Sequence, residues 1–85
     1  MAHRRLRIAN VKGLHARASA RLVEVVEAHD ATATVAKDGM EASGDSIMGL
    51  LMLAAGLGST VEVTTAGPEA DRLADAIAAL VADKF

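Results

Sequence analysis

The sequence predicts a small α+β domain in which an antiparallel sheet carries its helices on one face. Short segments of alternating apolar residues, typical of strands, are interspersed with longer segments in which apolar residues recur every three or four positions. Asp38-Gly39 separates two strand segments and is a strong signal for a tight hairpin between antiparallel strands. The predicted element order is β-α-β-β-α-β-α, and such chains generally cover an antiparallel sheet with helices on one side.

The composition limits the class of protein. Eighty-five residues are enough for one domain that spans 1–85, and the absence of cysteine excludes disulfides and thiolate metal sites. Phe85 is the only aromatic residue, so the core must consist of aliphatic side chains, methionine and alanine. A net charge of −2 and the lack of aromatic stacking surfaces argue against a nucleic-acid partner. We expect no metal ion and no cofactor.

No apolar segment is long enough to span a membrane. The basic start of the chain, Met1 to Arg7, lacks the apolar stretch that follows in a signal peptide. We therefore expect a soluble, cytoplasmic protein that is a monomer.

The first strand is predicted over 4–9, with Leu6 and Ile8 on one face. Three arginines lie in or near this strand: Arg4, Arg5 and Arg7. They could form an anion-binding patch or simply a solvent-exposed strand face, and we favour the second interpretation. The first helix is predicted over 16–28. Its buried stripe is expected to comprise Ala18, Leu22, Val25, Val26 and His29, with Arg17, Arg21, Glu24 and Ala28 on the opposite side. His29 is expected to fill space at the edge of the core, and His3 to be solvated.

The hairpin is predicted to join strands 32–37 and 40–43 through a type I′ turn at Asp38-Gly39. Thr60 to Thr65 is predicted to form the last strand, with Val61 and Val63 on one face. The last helix is predicted to start at Gly67-Pro68-Glu69, with proline in its first turn, and Lys84 lies near its negative end. Its predicted buried stripe comprises Ala70, Leu73, Ala74, Ile77, Leu80 and Val81.

A short helix is predicted over 47–55, with Ser46 as its N-cap and Gly56-Leu57-Gly58 as its stop. This helix is apolar nearly all round, and it has two interpretations: complete burial, or an exposed apolar patch that binds a partner. We favour the second, because a short helix on a small domain cannot bury every face.

The stretch Gly13-Leu14-His15-Ala16-Arg17 joins the first strand to the first helix. Backbone N–H groups at the start of a helix have no intrahelical partner, and they carry partial positive charge. Arg17 adds a charged fork that suits phosphate oxygens, and Gly13 permits a tight turn. These residues suit a His15 that accepts a phosphoryl group, but by spacing alone a histidine before a helix is more often an ordinary polar residue.

Two motifs extend this hypothesis. The segments GLHARASA and, some thirty residues later, SIMGLLMLAA closely resemble the HPr phosphocarrier family of the bacterial phosphotransferase system. The resemblance covers almost the whole chain, and KDG and GPEA are most similar to the proteobacterial HPr and nitrogen-related NPr branches. It implies an open-faced β-sandwich, with a four-stranded antiparallel sheet in the order 1-4-2-3 and three helices on one face.

The resemblance also implies the chemistry. Enzyme I would transfer a phosphoryl group derived from phosphoenolpyruvate to His15, at Nδ1, and the chain would pass it to an EIIA-type protein. It would act as a carrier rather than as an enzyme. Arg17 and the backbone N–H groups of Ala16 and Arg17 would balance the phosphoryl charge. Both partners would dock on a surface formed by Ala20, Ile47, Met48 and Leu51, with Leu50 and Leu53 facing inward.

Ser46 matches a serine that HPr kinase/phosphorylase modifies in many bacteria, so it is either an N-cap alone or an N-cap with a regulatory role. The chain departs from the family pattern at Ala18, where proline is frequent, and this change is expected to loosen the site slightly. Sugar-type members often carry lysines around the docking face, and this chain has Glu24, Glu27 and Gly49 in that region, so a nitrogen-type enzyme I is at least as good a candidate donor as a sugar-type one. A different class of function, a ligand-sensing or scaffolding module, would require a concave apolar pocket and would form no covalent adduct.

Overall fold

The computed structural model describes residues 1–85 and has the predicted element order. The strands are β1 (Ala2–Arg7), β2 (Thr32–Lys37), β3 (Met40–Ser43) and β4 (Thr60–Ala66). The helices are α1 (Ala16–Glu27), α2 (Ile47–Met52) and α3 (Ala70–Ala82). The sheet has the order β1-β4-β2-β3 with every neighbouring pair antiparallel, which confirms the α+β fold and the strand order that the resemblance implied.

The core lies between the sheet and the three helices, and the other face of the sheet is open. Apolar strand residues alternate with exposed ones, as in β2, where Ala33 and Val35 are buried and Thr32 and Thr34 are exposed. The largest fully buried apolar side chains are Ile8, Val35, Leu50, Val63, Leu73 and Ile77. Burial of one such side chain contributes about 1.5–3 kcal/mol, so packing stabilises a chain that has no disulfide. No helix combines the length and the apolar character needed to cross a bilayer.

The hairpin has the predicted bounds and the predicted turn. Asp38 and Gly39 have φ of +52° and +83°, and a type I′ turn requires positive φ at both central residues. Local turn chemistry therefore determines this part of the fold.

The first strand begins and ends two residues earlier than predicted. Its register is set by β4, from Ala2 opposite Thr65 to Arg7 opposite Thr60, and alternation alone does not locate these ends. Ile8 is buried beyond the strand and exchanges backbone hydrogen bonds with the loop at Gly58 and Ser59. Leu6 is half-buried.

The three arginines do not form one anion-binding patch. Arg4 lies on the helix side of the sheet, where its guanidinium is 3.0 Å from the Asp75 carboxylate on α3. Arg5 and Arg7 are exposed and point to the opposite side, because successive strand residues alternate between faces. The favoured interpretation, a solvated strand face, is therefore right for Arg5 and Arg7 and wrong for Arg4, which is half-buried and paired with α3.

The first helix ends at Glu27, with Ala28 as its C-cap. Val25 is only half-buried, whereas Ser19 and Val23 are buried, so the apolar stripe is rotated slightly from the predicted one. His29 is half-buried after the helix, and its Nδ1 lies 2.7 Å from the Val25 carbonyl oxygen, which agrees with a place at the edge of the core. His3 is exposed, with Nε2 3.4 Å from a Glu62 carboxylate oxygen.

The second helix ends at Met52, three residues before the predicted end. The reason is Ala54, whose φ of +52° lies in the left-handed region and reverses the chain. Ala55 is then buried, and its carbonyl accepts a hydrogen bond from the Leu14 N–H at 2.9 Å. The early end of α2 therefore connects this segment to the loop before His15.

We expect Ala54→Gly to raise the free energy of unfolding by about 0.5–1 kcal/mol. The left-handed conformation costs a non-glycine residue about 1–2 kcal/mol, and the greater freedom of glycine in the unfolded chain offsets part of this gain. Ala28→Gly is the matched control, since Ala28 is also exposed but has φ of −79°. Urea unfolding of both variants tests this prediction, and equal destabilisation of the two would contradict it.

The third helix begins at Ala70, so Pro68 lies in the preceding turn and not in its first turn as predicted. The Glu69 carboxylate does not cap α3 and instead accepts a hydrogen bond from the Asp30 N–H at 2.7 Å. Leu80 is half-buried rather than buried, and Lys84 lies past the end of the helix with φ of +62°. The remaining residues of the predicted stripe are buried: Ala70, Leu73, Ala74, Ile77 and Val81.

Candidate functional site

His15 is the N-cap residue of α1, and its side chain does not cap the helix. Its backbone is extended, with φ of −74° and ψ of 179°, and the residue is half-buried. The Nδ1 atom lies 3.0 Å from the Gly13 carbonyl oxygen. Because a carbonyl oxygen only accepts, Nδ1 carries the proton in this hydrogen bond, and Nε2 is left without a protein partner.

The loop before His15 depends on Gly13, as the sequence predicted. Gly13 has φ of +60°, and a Cβ atom there would lie 2.1 Å from the Ala55 carbonyl oxygen. The Gly13 N–H donates to the Asn10 carbonyl at 3.2 Å, and the Asn10 side-chain amide donates back to the Gly13 carbonyl at 2.8 Å. Only glycine fits this position, and the loop presents His15 at the start of α1.

Three backbone N–H groups beside His15 have no acceptor within the protein. They belong to Ala16, Arg17 and Ala18, and the first helical hydrogen bond runs from the Ser19 N–H to the His15 carbonyl at 2.9 Å. These groups also lie at the positive end of the helix dipole. The start of α1 can therefore hold an anion attached to the imidazole.

Arg17 lies on the exposed side of α1, as predicted, and forms no ion pair. Its guanidinium is free to contact an anion near His15. Beside it is an open groove of about 480 Å³, which is lined by Arg17, Ala20, Arg21, Glu24, Val25 and Leu80. All the concave regions of the molecule are open surface grooves. The most apolar of them, about 410 Å³ beside Ile8, Ala9 and Leu57, is open to solvent.

Apolar side chains are exposed on α2, which packs against α1. Ile47 and Met48 are 40% and 69% exposed, whereas Leu50 and Leu53 point into the core. Leu51 and Ala20 are half-buried, so only part of each side chain is accessible to a docking partner. Met52, which was not among the residues predicted for docking, is also 67% exposed.

Two further exposed apolar residues, Val11 and Leu57, were also missed. They lie in the loops before α1 and after α2, and the Leu14–Ala55 hydrogen bond joins these two loops. The available signal was a large apolar residue within a predicted turn, two residues before Gly13 for Val11 and between Gly56 and Gly58 for Leu57.

Ser46 caps α2 as predicted. Its Oγ accepts a hydrogen bond from the Gly49 N–H at 3.1 Å, and its carbonyl accepts from the Leu50 N–H at 3.0 Å. Ala18 is fully buried, and Glu24 and Glu27 are exposed on α1. The two glutamates are therefore accessible to the charged groups of a partner that docks on α1.

The comparisons with known proteins agree with this arrangement. A family model described as the PTS HPr component phosphorylation site matches residues 2–83. The chain is 42% identical over 85 residues to the phosphocarrier protein HPr of Cupriavidus necator, covering 100% of this chain and 96% of that protein. It is 43% identical over 82 residues to the phosphocarrier protein NPr of Shewanella violacea, covering 96% of this chain and 90% of that protein.

Solved structures show the same fold. A crystal structure of HPr from Thermoanaerobacter tengcongensis superposes with a TM-score of 0.95 at 29% identity. The match covers 100% of this chain and 96% of the chain in that structure. A crystal structure of HPr from Bacillus anthracis gives a TM-score of 0.90 at 35% identity, with 94% and 95% covered. The chain belongs to the HPr family of phosphocarrier proteins of the phosphotransferase system.

Proposed function

We propose that this phosphocarrier accepts a phosphoryl group on His15 from phospho-enzyme I and passes it to an EIIA-type protein. The observation that carries the proposal is the set of unpaired N–H groups at Ala16, Arg17 and Ala18, directly beside an imidazole that does not cap the helix. A phosphoryl group on that ring would meet ready-made donors. The chain then acts as acceptor and donor in turn, as a cytoplasmic monomer, and catalyses no reaction of its own.

The transfer exchanges one bond to phosphorus for another. A lone pair of the His15 ring forms the new N–P bond while the bond from phosphorus to the donor atom breaks, and the donor atom keeps its electron pair. Family resemblance assigns the new bond to Nδ1. Because Nδ1 donates to the Gly13 carbonyl in this structure, the ring must leave that carbonyl before Nδ1 reacts.

Stabilisation of the phosphorylated form should be modest, because a carrier must also release the group. The site is open, with Ala16 and Arg17 exposed and His15 half-buried, so no enclosing cage forms around the ring. Phosphoryl transfer depends mainly on positioning and charge stabilisation, which the helix start and Arg17 are placed to provide.

We expect Arg17→Ala to slow phosphoryl acceptance about 10-fold to 100-fold with little change in melting temperature. A hydrogen bond to a charged group contributes about 1.5–3 kcal/mol, whereas truncation of an exposed side chain leaves no cavity. Arg21→Ala is the control, because Arg21 lines the same groove one turn further along α1. Rapid-quench transfer kinetics and thermal melts of both variants test the prediction. A large loss of stability with normal transfer would contradict it.

Docking of both partners is proposed to use one surface. We define the docking surface as Ala20, Ile47, Met48 and Leu51, with Met52 added from the structure. Two proteins that reach the same histidine in turn must use overlapping contacts, and a few apolar anchors can carry most of the binding energy. Methionine suits such a surface because its flexible side chain adapts to different partners.

Ser46 is proposed to be a regulatory phosphorylation site in addition to the N-cap. A phosphate at this position adds about −1.5 to −2 charges, which the N-terminus of α2 tolerates but which lie next to Ile47 and Met48 of the docking surface. We expect HPr kinase/phosphorylase with ATP to modify wild type but not Ser46→Ala, and the modified protein to accept phosphoryl groups more slowly. Intact mass and transfer kinetics test this, and unchanged transfer by the phosphoserine form would contradict the regulatory role.

The donor is proposed to be of the nitrogen type at least as readily as of the sugar type. Relatives of the HPr and NPr kinds are similarly identical to the chain, at 42% and 43%. Glu24 and Glu27 are exposed on α1. Because partner surfaces complement each other in charge, a donor that binds these glutamates should differ in surface charge from a donor that binds lysines. Acceptance rates from the two kinds of enzyme I, compared with those of Glu24→Lys, would decide the pairing.

A further inference from the structure

Asn10 is a buried polar residue whose acceptor atom has no partner. It lies in the loop between β1 and α1 and is 8% exposed. Its Nδ2 donates to the Gly13 carbonyl at 2.8 Å, whereas Oδ1 is buried and contacts no donor. The opposite amide orientation would place two acceptor oxygens against each other, so the donor end must face Gly13. The Asn10 side chain therefore contacts the site loop through its N–H end, at the Gly13 carbonyl.

That carbonyl is shared with the imidazole. Gly13 O receives one hydrogen bond from Asn10 Nδ2 at 2.8 Å and one from His15 Nδ1 at 3.0 Å, which uses both of its lone pairs. The neutral ring consequently has its proton on Nδ1 and its lone pair on Nε2. A ring nitrogen that carries a proton cannot attack phosphorus, so the Gly13 carbonyl masks Nδ1 in the resting protein.

We propose that Asn10 is a positioning residue, which acts through the Gly13 carbonyl to hold His15 in the Nδ1–H tautomer. The effect of this tautomer on phosphoryl transfer rests on the proposed function of His15. For acceptance at Nδ1, the ring turns away from Gly13, the Nδ1 proton passes to solvent and Nε2 takes a proton from solvent. The freed Nδ1 lone pair then forms the N–P bond, while the donor atom keeps the electron pair of the bond that breaks. The bond from Asn10 fixes the orientation of the Gly13 carbonyl, so it favours the resting geometry, in which that oxygen faces Nδ1.

The test is ¹⁵N NMR of the His15 ring in alkaline buffer, where the imidazole is neutral. We expect wild-type His15 to be mainly the Nδ1–H tautomer. In Asn10→Ala the Gly13 carbonyl loses the bond that orients it, so the ratio of Nδ1–H to Nε2–H should fall, by roughly fivefold at most, the factor for complete loss of the His15–Gly13 hydrogen bond. Thr65→Val is the control, because Thr65 Oγ1 makes a buried bond to the Ala70 carbonyl near the end of β4, whereas the loop before His15 bonds to the segment that precedes β4. This variant should lose stability but keep the wild-type tautomer ratio.

Two results would overturn the inference: a wild-type ring that is mainly Nε2–H, or an unchanged ratio in Asn10→Ala. Should Asn10→Ala fail to fold, Asn10→Ser replaces it, since its short hydroxyl also loses the reach to Gly13 and leaves a smaller cavity. The measurement uses the free protein without phosphoenolpyruvate. Its failure would leave the phosphocarrier proposal standing, and a failure of phosphorylation would leave the tautomer result intact.

Discussion

His15→Ala is expected to abolish the phosphoryl adduct that wild type forms with phosphoenolpyruvate and enzyme I. The reason is that the other two histidines lack the surroundings of His15. His3 lies on the exposed face of β1 beside a Glu62 carboxylate, and like charge would oppose an incoming phosphoryl group. His29 is next to the carbonyl end of α1, where the dipole is negative. Intact mass after incubation, followed by acid treatment, measures the labile adduct.

The fold should survive this substitution. His15 makes a single side-chain hydrogen bond, does not cap α1 and is only half-buried, so its removal should cost about 1 kcal/mol. Thermal melts of wild type and variant provide the control. Labelling of His15→Ala at His3 or His29 would show that the assignment of the acceptor is wrong.

Met48→Asp and Leu50→Asp are expected to have opposite kinds of effect, although the two residues lie on the same short helix. Leu50 is 0% exposed, so a carboxylate there would be buried without a partner, and we expect a loss of more than about 4 kcal/mol and an unfolded domain. Met48 is 69% exposed, so the same change should alter stability by no more than about 0.5 kcal/mol. It should nevertheless slow transfer from enzyme I and to the EIIA-type acceptor about 10-fold, if Met48 anchors both partners.

Transfer kinetics in both directions and thermal melts of the two variants separate folding from docking. Thr34→Asp is a suitable surface control, because Thr34 is exposed on the open face of the sheet, away from the helices. The docking surface would be misassigned if Met48→Asp unfolds the protein or leaves both transfer steps unchanged.

Local chemistry explains why some parts of the structure were predictable from the sequence. Asp38-Gly39 fixes the hairpin because both residues accept positive φ, and Ser46 caps α2 because its hydroxyl reaches the Gly49 N–H. His15 is at the start of α1 because Gly13 permits the turn before it. In each case the responsible residues are neighbours in the chain.

Long-range contacts explain what could not be predicted. Ala54 ends α2 in a left-handed conformation, although alanine is the best helix former, so the helix was predicted too long. The bounds of β1 follow from its pairing with β4, more than fifty residues away. Asn10 and His15 both donate to the Gly13 carbonyl. This arrangement depends on a loop conformation that Ala55 helps to hold.

The most direct test of the phosphocarrier account is the intact mass of the wild-type chain through one complete relay. With phosphoenolpyruvate and enzyme I, the chain should gain the mass of one phosphoryl group, and fragmentation should place it on His15. After removal of phosphoenolpyruvate and addition of an EIIA-type protein, the chain should return to its original mass as the acceptor gains the group. The account would be contradicted by a chain that gains no mass from either the sugar-type or the nitrogen-type enzyme I, or by one whose adduct lies on a residue other than His15.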